Sequence, residues 1–162
     1  MTHTETIRSI SSWKAWLSLA VFLAIVIGGG STIGILTAPG GWYAGLDKPP
    51  FNPPNWLFAP VWTLLYICIA IAGWRIWRFA PRGRAMQLWY GQLVANWIWS
   101  PVFFSLHLPW AALAVCAAMW AFILGFILTA RQIDRPASWL MVPYLLWVSF
   151  AGVLNASVAW LN

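Results

Sequence analysis

Long apolar runs, separated by short polar connections, dominate the pattern of this chain. Five of them, at 14–36, 56–78, 84–106, 109–131 and 138–160, reach the roughly 20 residues that a helix needs to cross about 30 Å of hydrocarbon. At 1.5 Å rise per residue each would extend roughly 34 Å, enough to span a bilayer with some tilt. The pattern predicts an all-α fold: an integral membrane bundle of five transmembrane helices, one domain over 14–162 behind a polar tail at 1–13. A cleaved leader is the competing reading of the first run. That run continues past Gly28-Gly29-Gly30 through Ile33, Ile35 and Leu36, long for a leader core.

Most connections between runs are short, which makes successive helices antiparallel neighbours. The exception is the loop at 37–55, which contains prolines 49, 50, 53 and 54, with Pro60 just beyond. Proline lacks an amide hydrogen and disfavours helix in the residue before it, so Pro49 to Pro54 must be extended and stiff. Asn55 is then placed to N-cap the second helix. Trp42, Tyr43 and Leu46 make the loop too apolar to stand in water, so it should fold over the end of the bundle as a lid.

Polar side chains within the runs fall on narrow arcs. Gln92, Asn96, Trp99 and Phe103 share one face of the third helix, and Tyr144, Trp147, Ala151 and Asn155 one face of the fifth. Amides in a bilayer are costly unless turned inward, so the two stripes should face the interior. Hydrogen bonding between helices alone would also account for Gln92 and Asn96. With Trp62 and Tyr66, one turn apart on the second helix, the stripes outline an aromatic pocket. Of the 15 tryptophans, those at 13, 16, 56, 74, 77, 89, 110, 139 and 160 lie near run ends, where indoles suit the membrane interface. Trp62, Trp97, Trp99, Trp120 and Trp147 lie deeper, where an indole N–H needs a partner.

Composition agrees, with 62% hydrophobic and 7% charged residues. The net charge of +6 is mainly a topology signal. Arg8, Lys14, Arg75, Arg78, Arg82, Arg84, Arg131 and Arg135 fall on one side of five spans and only Lys48 on the other. That places the N-terminus inside and the C-terminus outside. A nucleic-acid partner would need those arginines on a folded soluble surface, which this pattern does not provide. The acids Glu5, Asp47 and Asp134 lie outside the runs, which argues against ion-coupled transport. Cys68 and Cys116 sit mid-run without metal-ligand spacing, and His107 stands in a turn, so no metal site is expected. Gly30 and Gly34 form a small-x-x-x-small pair suited to close helix packing.

The runs W-Y-x-x-L-x-K-P at 42–49, P-P-x-W-x-F-x-P-V-W-T-x-L-Y at 53–66, Q-L-x-x-N-x-x-W-S-P-x-F-F at 92–104 and V-P-Y-L-x-W-x-x-x-A-x-x-L-N at 142–155 closely resemble the TspO/MBR family, the translocator proteins and tryptophan-rich sensory proteins once called peripheral benzodiazepine receptors. The resemblance implies a five-helix bundle, commonly a homodimer. It implies binding of porphyrins such as protoporphyrin IX and haem, and in some members sterol and isoquinoline-type ligands, with no cofactor required. By position, Trp42, Trp62, Trp110, Trp147, Ala151 and Asn155 match pocket residues of the family. Trp62 and Trp147 match an indole pair implicated in light-dependent porphyrin breakdown, so they would be the catalytic residues of a porphyrin-degrading enzyme. The full candidate ligand site is therefore Trp42, Trp62, Tyr66, Asn96, Trp99, Trp110, Tyr144, Trp147, Ala151 and Asn155. The expected function is a tetrapyrrole-binding membrane sensor or regulator. A porphyrin-degrading enzyme and a passive porphyrin or lipid translocator are the alternatives.

Two positions depart from the family. Phe51 stands where a tryptophan is usual, and no tyrosine or basic residue follows Leu154-Asn155 to complete a sterol-recognition pattern. The macrocycle is expected between Trp62 and Trp147, with hydrogen bonds from Asn96 and Asn155 and its propionates toward Lys48. The dimer is expected through Gly91 and Ala95, as in some bacterial members, or through the competing stripe Ala114, Ala118, Ala121 and Gly125 of the fourth helix.

Overall fold

The computed structural model describes residues 12–162, which form helices and connections with no strand among them. The expected polar tail falls almost wholly outside these residues. Helix α1 (Ser12–Leu23) starts two residues ahead of the expected boundary and runs through a π turn, Ala24–Gly28, into α2 (Gly29–Leu36). The loop carries a short helix, α3 (Gly41–Gly45). A 3-10 turn, Asn55–Leu57, leads into α4 (Phe58–Phe79). Helix α5 (Arg84–Ser100) continues as a second π turn, Pro101–Ser105. It is followed by α6 (Pro109–Ala130), α7 (Arg135–Leu140) and α8 (Val142–Leu161).

Among the described residues, four helical stretches are long and apolar enough to cross a membrane: Trp13–Leu36, Asn55–Phe79, Pro109–Ala130 and Arg135–Leu161. Helix α5 does not join this set, because Gln87, Gln92, Asn96 and Ser100 interrupt its apolar character. Two expectations are corrected. Asn55 does not N-cap the second helix but lies inside the 3-10 turn, and Pro54 and Leu57, the residues preceding each helical segment, make no side-chain cap. The fifth run is also not one straight helix. Proline at its start deprives α8 of an amide donor, and the chain breaks at Met141 between α7 and α8.

Helix α5 packs against α6, α6 against α8, α1 against α4, and α4 against α7. Their shared core contains Ile69, Ile76, Met86, Trp89, Ile123, Phe126, Met141 and Tyr144. Trp89 was expected at the interface, yet it is 2% exposed. Its indole donates to the Ile69 carbonyl at 2.9 Å, and its ring lies against Gly73, where a Cβ would collide with it. Trp13, Trp16, Trp56, Trp110, Trp139 and Trp160 do stand exposed near helix ends.

The two ends of the bundle are fastened differently. At one end Arg75 donates to Asp134 through Nε (2.5 Å) and Nη2 (2.9 Å), and Asp134 also accepts from the Ala137 amide at 3.3 Å to cap α7. The bond from Arg75 holds the Asp134 carboxyl below its ordinary pKa. At the other end the loop folds down onto α8. Asn162 accepts from the Asp47 amide at 3.0 Å and donates to the Asp47 carbonyl at 3.0 Å.

Candidate ligand cavity

Beneath this loop lies a cavity of about 680 Å³, walled by α2, α3, α4, α5 with its π turn, α6 and α8. Both amide-bearing stripes reach it: Asn96, Trp99 and Phe103 from α5 and its π turn, and Trp147, Ala151 and Asn155 from α8. Helix α4 adds Trp62 and Tyr66, one turn apart because they are four residues apart. Trp62 packs on Tyr66 at 5.4 Å between ring centroids, whereas Trp147 packs on Phe58 at 5.9 Å and Phe150 at 5.6 Å. The two indoles therefore rest on different neighbours and present separate aromatic walls. Among the described residues, no Asp, Glu, Lys, Arg or His lines the cavity.

The amides are already committed within the protein. Asn96 accepts from the Tyr66 hydroxyl at 3.4 Å and donates to the Tyr144 hydroxyl at 2.9 Å. Asn155 accepts from Trp99 Nε1 at 3.1 Å and donates to the Pro109 carbonyl at 2.9 Å. They shape the cavity by tying helices together, as the alternative reading had it for Asn96. Gln92, one turn from Asn96 and 0% exposed, has no partner for either amide atom. The buried Nε1 of Trp147 also lacks a partner.

Three of the expected site residues stand apart from the cavity lining. Tyr144 is fully buried behind it, bonded to Asn96 and Met119 of the lining and edge-on to Trp62. Trp42 stacks on His107 with centroids 4.2 Å apart and meets Phe103 edge-on. Trp110 is 57% exposed at the start of α6. His107 itself has a positive φ of 56°, as befits a turn residue beneath the lid. Lys48 Nζ donates to the Ala44 and Leu46 carbonyls, at 3.3 and 3.1 Å, and lies over the Tyr43 ring. Phe51 meets Phe150 edge-on at 6.5 Å.

Sequence reasoning missed other contributors. Phe58, Asn55 and Tyr43 line the cavity, and Thr37 bonds Ser100 at 2.6 Å, joining α2 to α5 at its rim. Asn162 latches the loop. The proline spacing pointed to Asn55 as a cap only, and nothing in the local pattern marks Asn162.

Residues 8–161 match the TspO/MBR family, nearly the whole chain. The chain belongs to the TspO/MBR family. A tryptophan-rich sensory protein of Cereibacter sphaeroides is 38% identical over 147 residues, covering 91% of this chain and 92% of that protein. The protein named TspO of Archaeoglobus fulgidus is 42% identical over 125 residues, 75% of this chain and 80% of its own. The human translocator protein is 35% identical over 126 residues, 72% of each. This family of membrane sensors and translocators therefore joins bacterial, archaeal and mammalian relatives to the helical architecture seen here. The cavity walls Trp62, Tyr66, Asn96, Trp99, Trp147, Ala151 and Asn155 all lie within the matched span.

Proposed function

We propose that this protein is a membrane tetrapyrrole sensor or regulator whose cavity takes protoporphyrin IX. The observation that carries this reading is the pairing of two separate indole walls, Trp62 and Trp147, in an uncharged cavity of about 680 Å³. That volume falls within the range of sites for compact organic ligands, and flat aromatic faces suit a flat apolar ring system. Haem would find Tyr66, Cys116 and Met119 in the lining but, among the described residues, no histidine. The lining also lacks an acid–base pair, which favours binding over proton-transfer chemistry. Breakdown of the bound ring in light remains the second reading, carried by the same two indoles. Sterol and isoquinoline-type ligands would use the same apolar walls.

In this reading α5 and its π turn form a fifth crossing, shielded by α6 on one side. The N-terminus lies on the inside with Arg75, Arg78, Arg82, Arg84, Arg131 and Arg135. A homodimer would form through α6 rather than through Gly91 and Ala95. Gly91 already packs on Phe122 and Ala95 is buried, whereas Ala114, Ala118 and Ala121 are exposed. Ala118→Phe should then give a monomer by light scattering.

Titration of protoporphyrin IX into the purified protein, read by tryptophan fluorescence and porphyrin absorption, tests the cavity. Trp62→Phe with Trp147→Phe should weaken binding roughly fivefold or more, since stacking contributes about 0.5–1.5 kcal/mol per aromatic pair. Unchanged affinity in the double variant excludes the site as drawn. Illumination of the complex in oxygen separates the second reading, which an unaltered porphyrin spectrum would remove.

A further inference from the structure

A second hollow, of about 590 Å³, lies between α1 and α5 on the far side of Trp97 from the ligand cavity. Trp97 lines both spaces and is the single residue they share. Its ring rests against Gly29, just past the π turn, where an added Cβ would collide with it. Its Nε1 is buried without a hydrogen-bond partner. Packing alone therefore holds this indole in place.

The walls of the hollow are apolar, with Leu17 and Val21 from α1 facing Leu93 and Val94 from α5. Lys14 stands at one end, its Nζ 5.6 Å from the Trp13 ring centre. From Lys14 to Ile25, the lining residues furthest apart on the first helix, the rise is roughly 16 Å. That is about half the roughly 30 Å hydrocarbon thickness, the depth of one leaflet.

We propose that this groove is a binding site for a single-chain amphiphile carrying a carboxylate. The acid group sits at Lys14, matching its one positive charge, and the chain runs along Val21 and Val94 to end at Trp97. A lipid with two chains would leave one chain outside the groove. Trp97 is then the partition against which the end of the chain rests, with the ligand cavity behind it. This site does not depend on what fills that cavity.

The test uses 12-bromododecanoate, whose terminal bromine quenches nearby indoles, with the full-length protein in detergent micelles. Quenching should saturate, and Trp97→Phe should reduce its amplitude. Unbrominated dodecanoate should compete roughly fivefold better than dodecanol, as expected for one ion pair at a water-facing end, and Lys14→Gln should abolish that difference. Val94→Phe fills the groove at an exposed position outside the core and should abolish saturable quenching. The proposal is overturned by quenching that rises without saturation, by equal competition from dodecanol, or by an unchanged midpoint in Val94→Phe. A disulfide between two copies of Val94→Cys would place a second chain in the groove and overturn it as well.

Discussion

Asn96 donates through Nδ2 to the Tyr144 hydroxyl over 2.9 Å, joining α5 to α8 behind the cavity wall. The same hydroxyl donates to Met119 Sδ at 3.1 Å, so three helices meet at one buried oxygen. Tyr144→Phe leaves the Asn96 amide without its acceptor in a site closed to water, a loss of about 1–3 kcal/mol. Tyr66→Phe removes only a long bond of 3.4 Å at the cavity edge and should cost under about 1 kcal/mol. Unfolding midpoints in detergent should therefore fall clearly for Tyr144→Phe and slightly for Tyr66→Phe. Equal losses would show that the buried hydroxyl does not organise the three helices.

Glycines one turn apart on α2 make a paired test of the cavity wall. A Cβ at Gly30 would meet the Tyr66 ring, whereas one at Gly34 has nothing within 4 Å. Gly30→Ala should push Tyr66 off its seat and change porphyrin affinity, with a stability loss of about 1–3 kcal/mol for overpacking. Gly34→Ala should change neither, apart from a small gain in helix propensity. If both variants bind as the parent does, Tyr66 does not shape the site.

What the sequence discloses and what it hides follow from how far each signal reaches. The 3.6-residue period fixes which side chains share a helix face, so Asn96 with Trp99, and Trp147 with Ala151 and Asn155, could be placed on common walls without coordinates. The proline spacing likewise revealed the stiff loop that covers them. Periodicity says nothing about rotation relative to a neighbouring element. Trp89, near the end of an apolar run, looked like an interface anchor, yet the notch at Gly73 and the Ile69 carbonyl draw it into the core. Trp110 and Trp42 depend in the same way on where their backbones sit. The Asn162 to Asp47 latch spans 115 positions and has no local signature.

Acid should weaken the protein through Asp134. Its carboxyl is held below the ordinary pKa in the folded state by the bond from Arg75. Folding therefore favours the charged form, and the contribution is fully present above the unfolded value of about 3.9. It is lost as pH falls through that value toward the lower folded pKa. Asp134→Asn should be less stable than the parent from pH 7 to about 5, and the gap should close below about pH 4. A gap of constant size from pH 7 to pH 3, measured by denaturant unfolding in detergent, would remove the ion pair as its source.

The loop over the cavity should open faster when its latch is cut. Asn162 makes two bonds to the Asp47 backbone and a third, at 2.9 Å, to the Val158 carbonyl, so its side chain bridges α8 and the loop. The loop has few other polar ties to the bundle: Lys48 bonds within the loop itself, and Tyr43 reaches only Asn52 at 3.4 Å. Tyr43 also packs on Phe103 and Phe104, so apolar contact survives when the latch is removed. Asn162→Ala should thus leave the bundle's unfolding midpoint nearly unchanged while loosening the lid by about 1 kcal/mol, since exposed hydrogen bonds contribute little each. Protoporphyrin dissociation should accelerate roughly fivefold with a smaller change in association, because closure slows escape more than entry. Proteolysis within 37–55 should speed up in parallel. An unchanged dissociation rate together with faster proteolysis would show that the ligand leaves by a route other than beneath the loop.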